Sequence, residues 1–526
     1  MNVIFVEPCF PQNQREFVRG LKSVGANVIG ISERPREWVD PELASWMVDY
    51  IQIGSVVNEA ELERAVRLAQ SRVWVDRLEA TVEAHVMPAA NVRERCRIPG
   101  ISARTAFLCR DKPAMKEVLR AAGVPCAQSI GASSAEEVRD FAAAVGFPLI
   151  LKPRSAAGAA GTWKASNAEE LEVAIRSCGV DQGAPTAVEE FIEGHEGFLD
   201  TITVNGQVST EFITHYYPNV LEAMRTRWIS PQMVATNRLD APGYNEVRQM
   251  ARRVIEVLGI TSSATHMEWF AGPKGLKFSE IGCRPPGVCQ WDVYNAANDI
   301  DLYREWALAV THRTSEQQPS RRFAGGMIAL RPDRDGRVSH YEGLDVIGKR
   351  YGDNIVAAHL PDPGTPTGDV SAGYMANAWM RVRHPDYDVL RAHPERHRQH
   401  RAGTRSLTAA GRRERPSRDR DGSGGGGRGS DARRLAQHVA RHQHHAGISD
   451  EVAFAVGLRI LTDLGTVGDV AALVDDRVAD PAGAPDAHTG QDDRAVHATV
   501  RFHVHVPEQQ RLVHLRTGDD AAPGDH

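Results

Sequence analysis

Residues Leu151–Ala165 read LKPRSAAGAAGTWKA: an apolar run ending in Lys152 and Pro153, then a loop of small residues with glycines at 158 and 161. Ordering such a loop costs conformational entropy, so it is either a plain surface turn or a segment that closes on something. A phosphate loop of the Walker type carries its lysine after the glycines, at the start of a helix. Here Lys152 comes first, on a strand. Backbone N–H groups of a small-residue loop can still close over phosphate oxygens while a neighbouring lysine balances their charge. The stretch therefore points to a strand followed by an anion-binding loop.

The flanking segments support a mixed α and β domain. DKPAMKEVLRAAGVP (111–125) starts with an Asp N-cap, has helical spacing, and stops at Gly123 with Pro125 beyond. SAEEVRDFAAAVGFP (134–148) repeats that design, and NAEELEVAIRSCG (167–179) predicts the next helix. AVEEFIEG (187–194) and GFLDTITVNGQVSTEFITH (197–215) read as strands, the latter turning at Asn205-Gly206. A helix is expected over 244–259 and a hairpin over 263–287 that turns at Gly272–Gly275. Another helix is expected over 301–310, and a further hairpin in RFAGGMIALRPDRDGRVSHYEG (322–343).

Upstream, NVIFVE, QREFVRGLKSVGA and NVIGIS alternate strand, helix and strand, which argues a parallel sheet. A helix is expected at Glu59–Gln70, with VWVDRLEATVEAHV (73–86) continuing the helical pattern. The loop after the first strand, EPCFPQN, has no Gly-x-Gly-x-x-Gly, which disfavours a dinucleotide site. Order is expected to about Leu390. Beyond it the composition changes: residues 391–526 hold 20 Arg, no Lys, and only Phe454 and Phe502 as aromatics. Such a segment buries too little apolar surface to fold. The expectation for 393–526 is a low-complexity Arg/His/Gly-rich tail, disordered or translated out of frame from a GC-rich gene.

A chain of 526 residues is 42% hydrophobic with net charge −6, which gives no support for a nucleic-acid partner. No run approaches the roughly 18 apolar residues that span a bilayer, and the N-terminus lacks the features of a signal peptide. Seven scattered cysteines without Cys-x-x-Cys suggest free thiols in a reducing compartment. The expectation is a cytoplasmic protein without nucleic-acid or membrane partners, with a homodimer as the oligomer to test.

Lys112 lies forty residues before Lys152, and VEEFIEGHE (188–196) follows at a similar distance. Glu268 in THMEWF and Glu280 in FSEIGCRPPG lie twelve residues apart across the expected hairpin. Two lysines for phosphates and two carboxylates for a hard divalent ion make a balanced polyphosphate site. His266 reads as a structural strand histidine. His215, Arg225 and Arg227 in HYYPNVLEAMRTRW are candidates for docking a carboxylate substrate.

On RDKPAMKEVLRAAGVP, PLILKPRSAAGAAGT, VEEFIEGHE, HMEWF and EIGCRPPG, residues 1–390 resemble the ATP-grasp superfamily. The resemblance implies an α/β Rossmann-like pre-ATP-grasp domain at 1–104 and a two-lobed α+β ATP-grasp domain at 105–319. A C-terminal subdomain follows at 320–392. It implies ATP with magnesium, or manganese in its place, and a ligase that activates a small-molecule carboxylate as an acyl phosphate for a nucleophile. Lys112 and Lys152 would bind phosphate, and Ser155 to Thr162, with Gly158 and Gly161, would form the mobile lid. Glu189, Glu190, Phe191 and Ile192 would read adenine and Glu196 the ribose. Glu268 and Glu280 would bind metal, and Arg284 would steady the transferring phosphoryl group. Many relatives place Asn two residues after the second acid, where this chain has Gly282. The alternatives are a biotin-carboxylase-like enzyme that activates bicarbonate, or an ATP-binding regulatory protein without turnover.

Overall fold

The computed structural model describes residues 1–154, 161–226, 229–332, 334–369, 375 and 377–391, and the backbone of 459–463. Four parallel strands, β1 (Asn2–Val6), β2 (Asn27–Ser32), β3 (Met47–Gln52) and β4 (Arg77–Glu79), form a first sheet in the order β3-β2-β1-β4. The helix Glu59–Gln70 is present at its expected bounds. The continuation does not hold. Arg77–Glu79 pairs with β1 instead, burying Val75 and Leu78, and a helix resumes only at Glu83–Arg95.

A second sheet is antiparallel, in the order β5-β8-β6-β7, from β5 (Ser129–Ala132), β6 (Leu149–Pro153), β7 (Trp163–Ala165) and β8 (Thr186–Glu190). Its helices start on side-chain caps. Asp111 accepts from the Ala114 N–H, Ser134 makes a full capping box with Glu137, and Asn167 accepts from Glu170.

The largest sheet is antiparallel with eight strands. Its members are β9 (His195–Val204), β10 (Gln207–Tyr217), β11 (Gln232–Ala235), β12 (Ser263–Gly272), β13 (Gly275–Gly282), β14 (Ala324–Leu330), β16 (Ile355–His359) and β17 (Ala378–His384). Asn205 and Gly206 turn β9 into β10 at φ 51° and 82°, the left-handed pair a tight hairpin needs. The helix Asn245–Leu258 buries Val247, Met250, Ala251, Val254, Ile255 and Leu258 along one stripe. The hairpin expected over 322–343 does not form. β14 pairs with β11 and β17, whereas β15 (Arg337–Glu342) pairs antiparallel with β18 (Arg459–Asp463). Within the expected tail, Arg459–Asp463 is thus a strand; the rest of 393–526 lies outside the described residues.

The two faces of the eight-stranded sheet have different chemistry. Side chains alternate along a strand, so Glu196, Phe198 and Asp200 share the face of His266, Glu268 and Glu280 through the β9–β12–β13 register. The opposite face holds His195, His215 and Trp269, buried around a His195 Nε2–His215 Nδ1 contact of 2.9 Å and a His215 Nε2–Tyr244 hydroxyl contact of 2.9 Å. Burial lowers the His195 pKa to about 4 and pushes His215 well below its ordinary value. The folded state thus holds His195 neutral, while the unfolded chain protonates it below about 6.5. The melting temperature gap between wild type and His195→Gln should narrow as pH falls from 7.5 to 5. A constant gap would show that the ring is not held neutral.

Candidate functional site

One cavity of about 660 Å³ opens between the second sheet and the acidic face of the large one. Lys112, Lys152, Thr162, Glu189, Glu190, Phe191, Ile192, Glu196, Glu268, Glu280 and Arg284 all line it. Gly161, at φ 65°, is not on its wall, and Ser155 and Gly158 lie outside the described residues.

Asp111 brings the two lysines together. While capping the helix of Lys112, its carboxylate takes two hydrogen bonds from Arg154, at 3.0 and 2.9 Å, just beyond the strand of Lys152. Lys152 Nζ then lies 3.0 Å from Glu189 Oε2, and Lys112 Nζ lies 3.2 Å from Glu280 Oε2. A third cation, Lys116, is fully buried one helical turn after Lys112 and reaches Glu189 Oε2 at 2.7 Å. Burial opposes the charge of Glu189, but Lys116 and Lys152 outweigh it and hold its pKa down at about 2. Burial likewise disfavours the charge on both lysines. It wins at Lys116, whose pKa is lowered; at Lys152 the fields of Glu189 and Glu280 win, and the pKa is raised. The lysine that faces the cavity therefore stays charged.

Glu268 and Glu280 stand directly opposite each other on β12 and β13. Like charges in such a cross-strand pair repel, so the arrangement favours a cation between or beside them. His266 Nδ1 is 2.7 Å from Asp200 Oδ1, its Nε2 is 3.6 Å from Glu268 Oε1, and the Tyr294 hydroxyl donates to Asp200 Oδ2 at 2.6 Å. Burial disfavours charge on His266, yet Asp200 and Glu268 lift its pKa to about 9. That favours the protonated ring at neutral pH, and the side chain, read from the sequence as a structural strand residue, borders the cavity beside Glu268. Glu196 is raised to about 8, first by burial and then by Glu268, and its Oε2 accepts from the Val220 N–H at 2.7 Å.

Of the three docking candidates, Arg225 lines the cavity and donates to the Thr162 carbonyl at 2.9 Å. His215 does not line it, because strand alternation turns Tyr216 toward the cavity and His215 toward the other face. Arg227 lies outside the described residues. At the far end Val288 and Cys289 adopt φ of 50° and 53°, a strained geometry for a β-branched residue. They bring the start of the helix Gln290–Asn298 to the cavity, where the fully buried Gln290 amide has no hydrogen-bond partner among the described residues.

Sequence reading missed Lys116, Lys164, Glu83 and Gln290. Lys164 stacks 3.7 Å above the Phe191 ring on the cavity wall. Lys116, four residues after Lys112 on a helix, was within reach of an i, i+4 argument. Gln290 and Glu83 carry no local signal.

Residues 117–295 match the family model of the ATP-grasp domain. An uncharacterised protein of Sinorhizobium fredii is 27% identical over 53% of this chain and 58% of its own length. An L-arginine-specific L-amino acid ligase of Bacillus subtilis is 24% identical over 49% of this chain and 63% of its own. The match thus spans about three-fifths of these relatives. The solved structure of an L-amino acid ligase from Bacillus licheniformis superposes with a TM-score of 0.58 at 16% identity, covering 74% of this chain and 94% of that one. Residues 117–295 thus match an ATP-grasp domain, and the chain shares its fold with the solved amino acid ligase structure.

Proposed function

We propose that this protein is an ATP-dependent ligase that joins a carboxylate, activated as an acyl phosphate, to an amine, with amino acids as the substrate class. The observation that carries it is the convergence of Lys112, Lys152, Glu268, Glu280 and Arg284 on one cavity. The amino-acid class is supported by the named relatives and by Arg225, which offers a cation on the cavity wall to a carboxylate substrate.

In this reading Phe191, Ile192 and the Lys164 aliphatic stem hold the base, and Glu196 takes the ribose. Lys112 and Lys152 neutralise the phosphates, and the loop ending at Thr162 excludes water. Glu268 and Glu280 fit a magnesium ion or manganese: among the described residues no third His, Cys, Asp or Glu joins them, which leaves room for phosphate oxygens and waters. Such an ion, when bound, would offset the polyphosphate charge. Arg284 steadies the γ-phosphoryl group as it moves to the substrate carboxylate. The amine then attacks the acyl carbon, the carbon–oxygen bond to phosphate breaks, and phosphate leaves.

Titration of the protein with MgATP in a calorimeter should give a saturable heat at one site per chain. ADP release should then depend on an amino-acid pool. Absence of heat with MgATP would reject the reading.

A further inference from the structure

The geometry points to Glu83 as the positioning residue for Arg284, supplied from outside the ATP-grasp domain. This rests on the proposed role of Arg284 toward a transferring phosphoryl group. Glu83 is the first residue of the helix Glu83–Arg95, which follows the parallel sheet, and it stands 201 residues from Arg284 in sequence. Its Oε2 accepts from Arg284 Nε at 2.5 Å, and its Oε1 accepts from Arg110 Nη1 at 2.9 Å. Arg284 Nη1 donates to the Pro285 carbonyl at 2.7 Å. With Nε and Nη1 engaged, Nη2 carries no hydrogen bond among the described residues, and the side chain borders the cavity.

The bond fixes the guanidinium plane. An arginine side chain loses considerable rotamer freedom when it is pinned. Pinning it before the substrate arrives removes that cost from the step in which charge develops. Arg110, the other partner, directly precedes the Asp111 cap of the Lys112 helix, so one carboxylate ties the arginine and the lysine helix to a common frame.

Gly282 borders the pair. Its φ is not in the left-handed region, so the backbone does not require glycine there. A Cβ at 282 would lie 3.4 Å from Glu83 Oε2 and 3.4 Å from Arg284 Cγ. Both are ordinary van der Waals distances, so a Cβ there would touch the Glu83–Arg284 pair without displacing it.

The test needs no identified substrate. The affinity of the full-length protein for MgADP is measured by calorimetry with and without aluminium fluoride, a mimic of the transferring phosphoryl group. Wild type should bind MgADP at least about tenfold more tightly with fluoroaluminate, a gain of about 1.4 kcal/mol. Glu83→Gln should keep its MgADP affinity within about twofold but lose most of that gain. Arg284→Met should lose the same gain, and the double variant of Glu83→Gln with Arg284→Met should be no worse than either single one. Failure of wild type to bind MgADP would reject the nucleotide reading itself. Binding without any fluoroaluminate gain, a full gain in Glu83→Gln, or additive losses in the double variant would each overturn the role of Glu83.

Discussion

Glu280→Gln is expected to leave the fold intact and to reduce amino-acid-dependent ADP release by at least about a thousandfold. The glutamine keeps the shape of the side chain but removes one of two facing carboxylates. It also removes the charge that Lys112 Nζ approaches at 3.2 Å, so the lysine would turn toward the phosphates without its counterion. Stability should fall modestly, because, against the cost of burial, Lys112 and Lys152 hold the Glu280 carboxyl below its ordinary pKa and would lose a counterion, a loss that relief of the repulsion with Glu268 offsets only in part. A coupled ADP assay beside a melting curve decides it. Turnover within tenfold of wild type at an unchanged melting temperature would show that this carboxylate does not serve the reaction.

Glu189→Gln should have the largest effect on stability. Glu189 is the shared counterion of Lys116 and Lys152, it and Lys116 are buried, and breaking a buried ion pair on one side costs about 3–5 kcal/mol. The lower end is expected, since burial already depresses the Lys116 pKa and the variant can release that proton. Because the Glu189 pKa is depressed to about 2, its contribution is present above the usual 4.5 and lost as pH falls through 2. The stability gap between wild type and variant should therefore close over that interval. Adding Lys116→Met should recover part of the loss by removing the orphaned cation. An unchanged melting temperature for Glu189→Gln at pH 7 would dismiss the ion triad.

Features set by neighbours in sequence were legible from it. Asp111 as a cap, the Asn205-Gly206 turn and the helix Glu59–Gln70 depend on residues within one or two turns of each other. The lysine and glutamate pattern was read from its separations along the chain and from the ATP-grasp resemblance, and the fold brings those side chains to one cavity. What escaped depends on distant partners. Arg77–Glu79 has no strong local preference and becomes a strand because β1 offers an edge. β14 and β15 are close in sequence, yet each finds its partner in another part of the chain. His215 was assigned to the cavity by residue type, whereas alternation along β10 decides which way it points. Glu83 looks like an ordinary acidic residue opening a helix until Arg284 arrives from across the fold.

The pairing of β15 with β18 bears on where this protein can be shortened. Cutting after Arg391 retains every residue that surrounds the cavity but strips Arg337–Glu342 of its antiparallel neighbour. The row of amides and carbonyls left bare there would be a template for a second molecule to add a strand. A protein cut there is expected to self-associate through Arg337–Glu342, which size-exclusion chromatography beside the full-length chain would check.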